Sequence, residues 1–319
     1  MTARDPGDRH SRLTLSFLAR PGDPVIGALL RSRTPAEVLA VVTGMGEARH
    51  AGLRQLPEVP GLAAALREWR QRQALLPSPA PLAECQAAGL RLICPGDDEW
   101  PPQLDDLGDT RPLLLWARGH ASLRDACARS VAVVGSRAAT ADGQHMSLQI
   151  AAGLAGQGMT VVSGGAVGVD ARAHQGALAA GGLTAAVLGG GLSFRYPQDT
   201  TTMLAAISAH GVLISECPPW RAPDRVSLLA RNRIIAALAG GLVVVEAALR
   251  SGTLSSARHA RDLGRSVMAV PGPVTSVQSA GCHELIRDHG AACVSSEQDV
   301  IACLSRAKQS CSIRCSDLW

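Results

Sequence analysis

The run Val-Ala-Val-Val-Gly-Ser-Arg at 131–137 reads as a buried strand that ends in a glycine turn, a hydroxyl and a fixed cation. A dinucleotide-binding turn would carry Gly-x-Gly-x-x-Gly, so that backbone amides reach a pyrophosphate. Gly135, Ser136 and Arg137 provide one glycine, one hydroxyl and one guanidinium instead, a set that fits a different anion. Gly164 and Gly165 follow a second apolar run, and Gly168 and Asp170 then open a helix. Their amides beside a positive helix end can hold phosphate, although the same glycines also suit a tight strand-to-helix turn. A third glycine loop stands at 189–191, and the absence of any Gly-Lys-Ser/Thr excludes a Walker A phosphate loop.

Arg231, Asn232 and Arg233 stand at the start of an apolar helix. Guanidinium and amide groups there can grip phosphate oxygens or a base edge, or form a solvated surface. Glu246 closes a strand, and Ser251, Gly252 and Thr253 open the next helix, as a hydroxyl-rich anion pocket or as an N-cap. Asp170, Glu216 and Glu246 are the carboxylates that a phosphate-cleaving enzyme could use as acid and base. Against that reading, the Pro-Gly-Gly-x-Gly-Thr run of nucleotide-cleaving Rossmann-like hydrolases is missing, and carboxylates after strands often hold turns.

These groups need a sheet to place them. After residue 130, short β-branched runs alternate with helical stretches, the pattern of a parallel sheet covered by helices on both faces. Several runs end in glycine or a polar residue, at the edge where open α/β sheets bind ligands. Upstream, residues 11 to about 75 show apolar positions at helical spacing, a small helical bundle. The three prolines in 75–84 suggest an extended connector and a boundary near residue 80. The expected organisation is therefore a helical domain over 1–80, a Rossmann-like domain over 81–304 and a disordered tail over 305–319.

Composition sets outer bounds. The chain has 319 residues, 46% hydrophobic and 18% charged, enough for one sizeable core. No apolar run reaches the roughly 18–20 residues of a membrane span, and the N-terminus lacks a secretory core, so a cytoplasmic location is expected. Nine cysteines lack paired metal spacing and read as small core residues or free thiols; no metal site is expected. A net charge of +4 mildly favours an anionic partner.

The segments VAVVGSR, SGGAVGVDARAH, VLGGGLSFRYP, LISECPP, RNRIIAAL, VVVEAALRSGTLSSA, GRSVMAVPG and SAGCHELIRDHGA together resemble, in order and spacing, the DprA (Smf) family of DNA-processing proteins. The resemblance covers roughly residues 90 to 295; it implies a sterile-alpha-motif-like or helix-hairpin-helix-like type for the helical domain over 1–80, and the short polar run over 305–319 is expected to form no winged-helix domain of the kind many members carry. It implies a Rossmann-like domain that binds single-stranded DNA through its phosphates and dimerises. It further implies a protein that protects incoming DNA and helps load the RecA recombinase in natural transformation, with neither catalysis nor a cofactor. Gly135, Ser136 and Arg137 match the family's phosphate-binding Gly-Ser-Arg. Gly164, Gly165, Arg225, Arg231, Asn232, Arg233, Ser251 and Gly252 are the further phosphate-binding positions expected. Two departures stand out. Leu228 occupies the place, three residues before Arg-Asn-Arg, where the family usually carries an aromatic that stacks on a base, and His283 replaces an asparagine. Leu228 can still give a base an apolar contact, at a cost of about 1–3 kcal/mol of stacking.

Overall fold

A computed structural model describes residues 6–44, 58–76, 79–196 and 198–316. The first five residues, where a secretory segment was sought, and the last three of the tail lie outside them. The described chain forms two compact units, residues 1–118 with 188–194 and 214–231, and residues 119–187 with 195–213 and 232–319. The predicted boundary near 80 therefore does not separate them: the chain passes between units after residue 118, and two later segments rejoin the first.

The first unit begins with helices α1 (Pro6–Leu18), α2 (Pro24–Leu29), α3 (Pro35–Thr43) and α4 (Leu62–Gln71), the helical bundle that the spacing predicted. Their starts are written locally. Pro24 and Pro35 sit in first turns, where a missing N–H costs nothing, and the Asp23 and Thr34 side chains accept the Val25 and Glu37 amides at 2.9 and 3.2 Å. Asp23 also accepts the Trp69 indole at 3.1 Å, which satisfies the one polar atom of a fully buried ring. Leu15, Leu18, Leu29, Val42 and Trp69 form the core of this bundle. The proline-rich 75–84 stretch is a helix in its second half, α5 (Pro79–Ala87), rather than an extended connector throughout. Pro79 and Pro81 fall in its first turn, where neither removes an intrahelical bond. Strands β1 (Arg91–Ile93) and β2 (Leu115–Gly119) then pair antiparallel, Leu92 opposite Trp116.

After α6 (Leu123–Ala128), the apolar runs become β3 (Ser130–Val134), β4 (Thr160–Ser163), β5 (Thr184–Leu188), β6 (Val212–Ser215), β7 (Gly241–Val244), β8 (Ser266–Ala269) and β9 (Ala292–Cys293). Strand order is β1-β2-β6-β5-β4-β3-β7-β8-β9, with β3–β4, β3–β7, β4–β5, β7–β8 and β8–β9 parallel. This is the mostly parallel Rossmann-like sheet expected. Helices α7 (Ala141–Gly156), α8 (Val169–Ala179), α9 (Gln198–His210), α10 (Arg225–Ala230), α11 (Asn232–Leu238), α12 (Thr253–Asp262), α13 (Ala280–His289) and α14 (Glu297–Ser316) complete it. The core of the second unit unites Val131, Val133 and Val243 of the strands with Ile150, Leu154, Ala173 and Val300 of the helices.

The tail expected to be disordered is instead the second half of α14. Ser296 and Asp299 cap its start reciprocally, at 3.1 and 3.2 Å, and Leu304 packs on the core. No proline or glycine interrupts 297–316, so a helix nucleated in the core propagates outward.

Candidate nucleic-acid interface

Strands β4 and β7 lie on opposite sides of β3, so the direction of chain progression reverses at β3. Loops leaving the ends of parallel strands diverge at such a point and leave a crevice. Gly135, Ser136 and Arg137 leave β3 there, and the loop from Glu246 to Gly252 leaves β7 beside them.

Much of the expected ligand chemistry braces these loops. The Ser136 amide donates to the Glu246 carbonyl at 2.8 Å, the Thr253 hydroxyl donates to the Gly135 carbonyl at 3.1 Å, and the Val169 amide donates to the Ser136 carbonyl at 3.1 Å. Ser251 Oγ donates to Thr253 Oγ1 at 3.0 Å and accepts the Thr253 amide at 3.1 Å. Gly168, at φ +85°, adopts a backbone that L side chains rarely reach, and a Cβ there would collide with the Ser136 and Arg137 carbonyls. Gly164 and Gly165 are buried in the bend after β4. The Ser136 hydroxyl accepts the Ala138 amide at 3.1 Å, while Arg137 is exposed at the tip of the turn and Gly252 is exposed beside it. The result is a stiff platform with one guanidinium standing on it.

The carboxylates are engaged. Glu246, 7% exposed, accepts both the amide and the hydroxyl of Thr140, at 2.9 and 2.6 Å, at the start of α7. A Cβ on Gly143 would collide with that carboxylate, so glycine lets the helix end approach it. The arrangement places a negative group at a positive helix end and cross-links β7 to α7. In the same unit Asp170 lies in the first turn of α8 and accepts the Ala166 amide at 3.5 Å. In the first unit Glu216 accepts the Gly22 amide at 3.2 Å.

The Arg-Asn-Arg run does not present a surface: Arg231, Asn232 and Arg233 are 7%, 7% and 4% exposed. Asn232 donates its amide to the Gly252 carbonyl at 3.2 Å, so it holds the Ser251–Gly252 loop. All of α11 is buried, against β3, β4 and α12, and Arg233 with Arg258 adds to the burial that lowers the His259 pKa from 6.5.

In the first unit, Asp224 and Ser227 form a reciprocal cap that starts α10, at 2.7 and 3.0 Å, with Arg221 on the outer oxygen at 2.9 Å. The Ser227 amide and that guanidinium hold the Asp224 carboxyl down to about 2. Arg225, the next residue, is exposed. Leu228 is half-buried and abuts Gly189; its side chain would lie 2.8 Å from a Cβ there. Val226 and Leu229, at 50% and 38% exposure, are the apolar side chains that α10 offers to solvent. Sequence reasoning missed Arg250, exposed on the β7 loop directly before Ser251. Its signal was adjacency to the Ser-Gly pair already singled out.

An open, mostly parallel sheet with a braced Gly-Ser-Arg turn at its switch point, and without the dinucleotide fingerprint, defines a Rossmann-like α/β protein of a distinct kind. The family model described as DNA recombination-mediator protein A matches residues 91–305, and the chain belongs to that family, the DprA or Smf group of DNA-processing proteins. A Mycobacterium tuberculosis chain described as a DNA processing protein DprA is 43% identical over 302 residues, 90% of this chain and 72% of that one. The X-ray structure of Streptococcus pneumoniae DprA superposes with a TM-score of 0.70 at 30% identity, covering 95% of this chain and 98% of that one. A Helicobacter pylori structure, described by its single-stranded DNA binding mode, gives a TM-score of 0.60 at 29% identity, covering 68% of this chain and 96% of its own. Among the described residues no helix is long and apolar enough to cross a membrane.

Proposed function

We propose that the chain binds single-stranded DNA through its phosphates, with Arg137 as the central ligand, and has no catalytic step of its own. The observation that carries this reading is the exposed Arg137 guanidinium on a turn held by three hydrogen bonds from the two neighbouring loops. A charged donor fixed in place loses little freedom on binding, and its planar fork meets phosphate oxygens in pairs. Exposed Arg250 and Arg225 add phosphate contacts, one on each unit. Ser136 gives a hydroxyl. Gly164, Gly165, Ser251, Gly252 and Asn232 shape the loops, and Arg231 and Arg233 act from within the fold. The engagement of Glu246 by Thr140 argues against its service as a general base. Membership of the family extends the reading to RecA loading in recombination and natural transformation, to a homodimer and to a cytoplasmic setting.

The test is a low-salt titration with an oligothymidylate, with duplex of equal length and with mononucleotides. Arg137→Ala should weaken single-strand binding about tenfold while leaving the thermal midpoint within a degree or so, because an exposed charged ligand is lost and no core contact. Unchanged affinity, or turnover of any of the three probes, overturns the reading.

A further inference from the structure

Because β3, β7 and β8 run parallel, the strand starts form an edge opposite the Gly-Ser-Arg turn. There the entries to β8 and β9, together with α14, line a cavity of about 510 Å³. That volume lies within the usual span for small-molecule sites, roughly 300–1,000 Å³. Arg261, Arg265 and Arg306 line it, and among the described residues no carboxylate does. His289 also lines it but faces Glu284 at 3.5 Å, so the positive charge rests on the three guanidiniums. Val267, half-buried on β8, supplies an apolar wall.

Helix ends explain only part of this charge. Arg261 stands in the last turn of α12, where the dipole favours a cation, and Arg265 donates at 3.4 Å to the Ala237 carbonyl near the end of α11. Arg306 lies ten residues into α14, away from either end, and donates at 3.4 Å to Cys303 on its own helix. It converges with the other two on one cavity.

We propose that this cavity binds a phosphate-bearing ligand of mononucleotide size, at a second site separate from the Gly-Ser-Arg platform. Paired guanidiniums would hold the phosphate, and Val267 would take the apolar face of a base. The phosphate can belong to a free nucleotide or to a DNA strand that runs past the first site. The free-nucleotide case stands apart from the single-stranded DNA reading, and the strand case rests on it.

The full chain is titrated by calorimetry with ATP and with inorganic phosphate, as the parent, as Arg261→Gln/Arg306→Gln and as Arg137→Ala. A nucleotide site predicts saturable ATP binding that falls about tenfold in the double variant and persists in Arg137→Ala. A strand site predicts that the double variant loses affinity for a long oligothymidylate but not for one several times shorter. Single Arg261→Gln, at an exposed helix position, repeats either reading should the double variant melt early. The site is refuted if ATP and the long oligothymidylate each bind parent and double variant alike, if neither binds at all, or if ATP binding is lost with Arg137.

Discussion

At the scale of single residues, the structure shows contacts within the fold for residues that the sequence and the family resemblance set against DNA. Asn232 was expected to touch DNA and holds the Gly252 carbonyl, while Leu228, expected to meet a base, packs on Gly189. Neither fact was legible locally, because whether a polar or apolar side chain faces solvent is decided by what the rest of the fold lays over it. The ring position on α10 shifts accordingly. Leu228→Phe puts a larger ring where the leucine already lies against Gly189 and should lower stability by about 1–3 kcal/mol, the range for overpacking. Leu229→Phe adds a flat face at an exposed position and should strengthen single-strand binding by about 1 kcal/mol, the low end of base stacking. Thermal melts and fluorescence titrations of the two variants check both. A gain at 228 with normal folding, and none at 229, would restore the position that the family resemblance implies.

At the scale of elements, a carboxylate joining β7 to α7 controls the platform. Glu246→Gln keeps an acceptor for the Thr140 amide and a donor for its hydroxyl, so it should fold normally and bind single-stranded DNA as well as the parent or better, one negative charge having gone. Glu246→Ala takes the charged acceptor from a part-buried amide and hydroxyl and should lower stability by about 1.5–3 kcal/mol, the range for hydrogen bonds to a charged group. If the glutamine variant instead abolished function without unfolding, Glu246 would be acting on a substrate. The α10 cap gives a second reading at this scale. Asp224 carries a carboxyl held at about 2 against an ordinary 3.8, so the unfolded chain takes up its proton first as pH falls. The cap's contribution is complete above the ordinary value and disappears as pH drops from 3.8 through about 2. Carboxyl NMR should show Asp224 still ionised at pH 3, and titration at an ordinary carboxylate value would contradict the capped geometry. Strands were legible because parallel strands buried on both faces read as apolar runs such as Val131–Val134. The second half of α14 was not, because a helix propagated from a capped first half that packs Val300 and Leu304 on the core shows little periodicity of its own.

At the scale of the whole molecule, the distinction that counts is between cations that can release a counterion and cations committed to the fold. Net charge is only +4, so binding to a polyanion has to come from a few placed groups rather than from a general field. Arg137, Arg225 and Arg250 are exposed, whereas Arg231 and Arg233 are buried. Each phosphate contact on a single strand contributes roughly −0.7 to the slope of log affinity against log salt. Neutralising Arg137, Arg225 or Arg250 singly to glutamine should therefore flatten that slope by about 0.7 and leave the melting temperature nearly unchanged. Neutralising Arg231 or Arg233 should do the reverse. A buried guanidinium replaced by a shorter neutral group removes packing and hydrogen bonds, so the midpoint drops while the slope stays near the parent's wherever the variant remains folded. Salt titrations of the five variants, read beside their melts, separate the two classes. A flattened slope with an unchanged midpoint for Arg231→Gln would mean that α11 opens to the strand on binding, and that its burial in the free protein conceals a phosphate ligand.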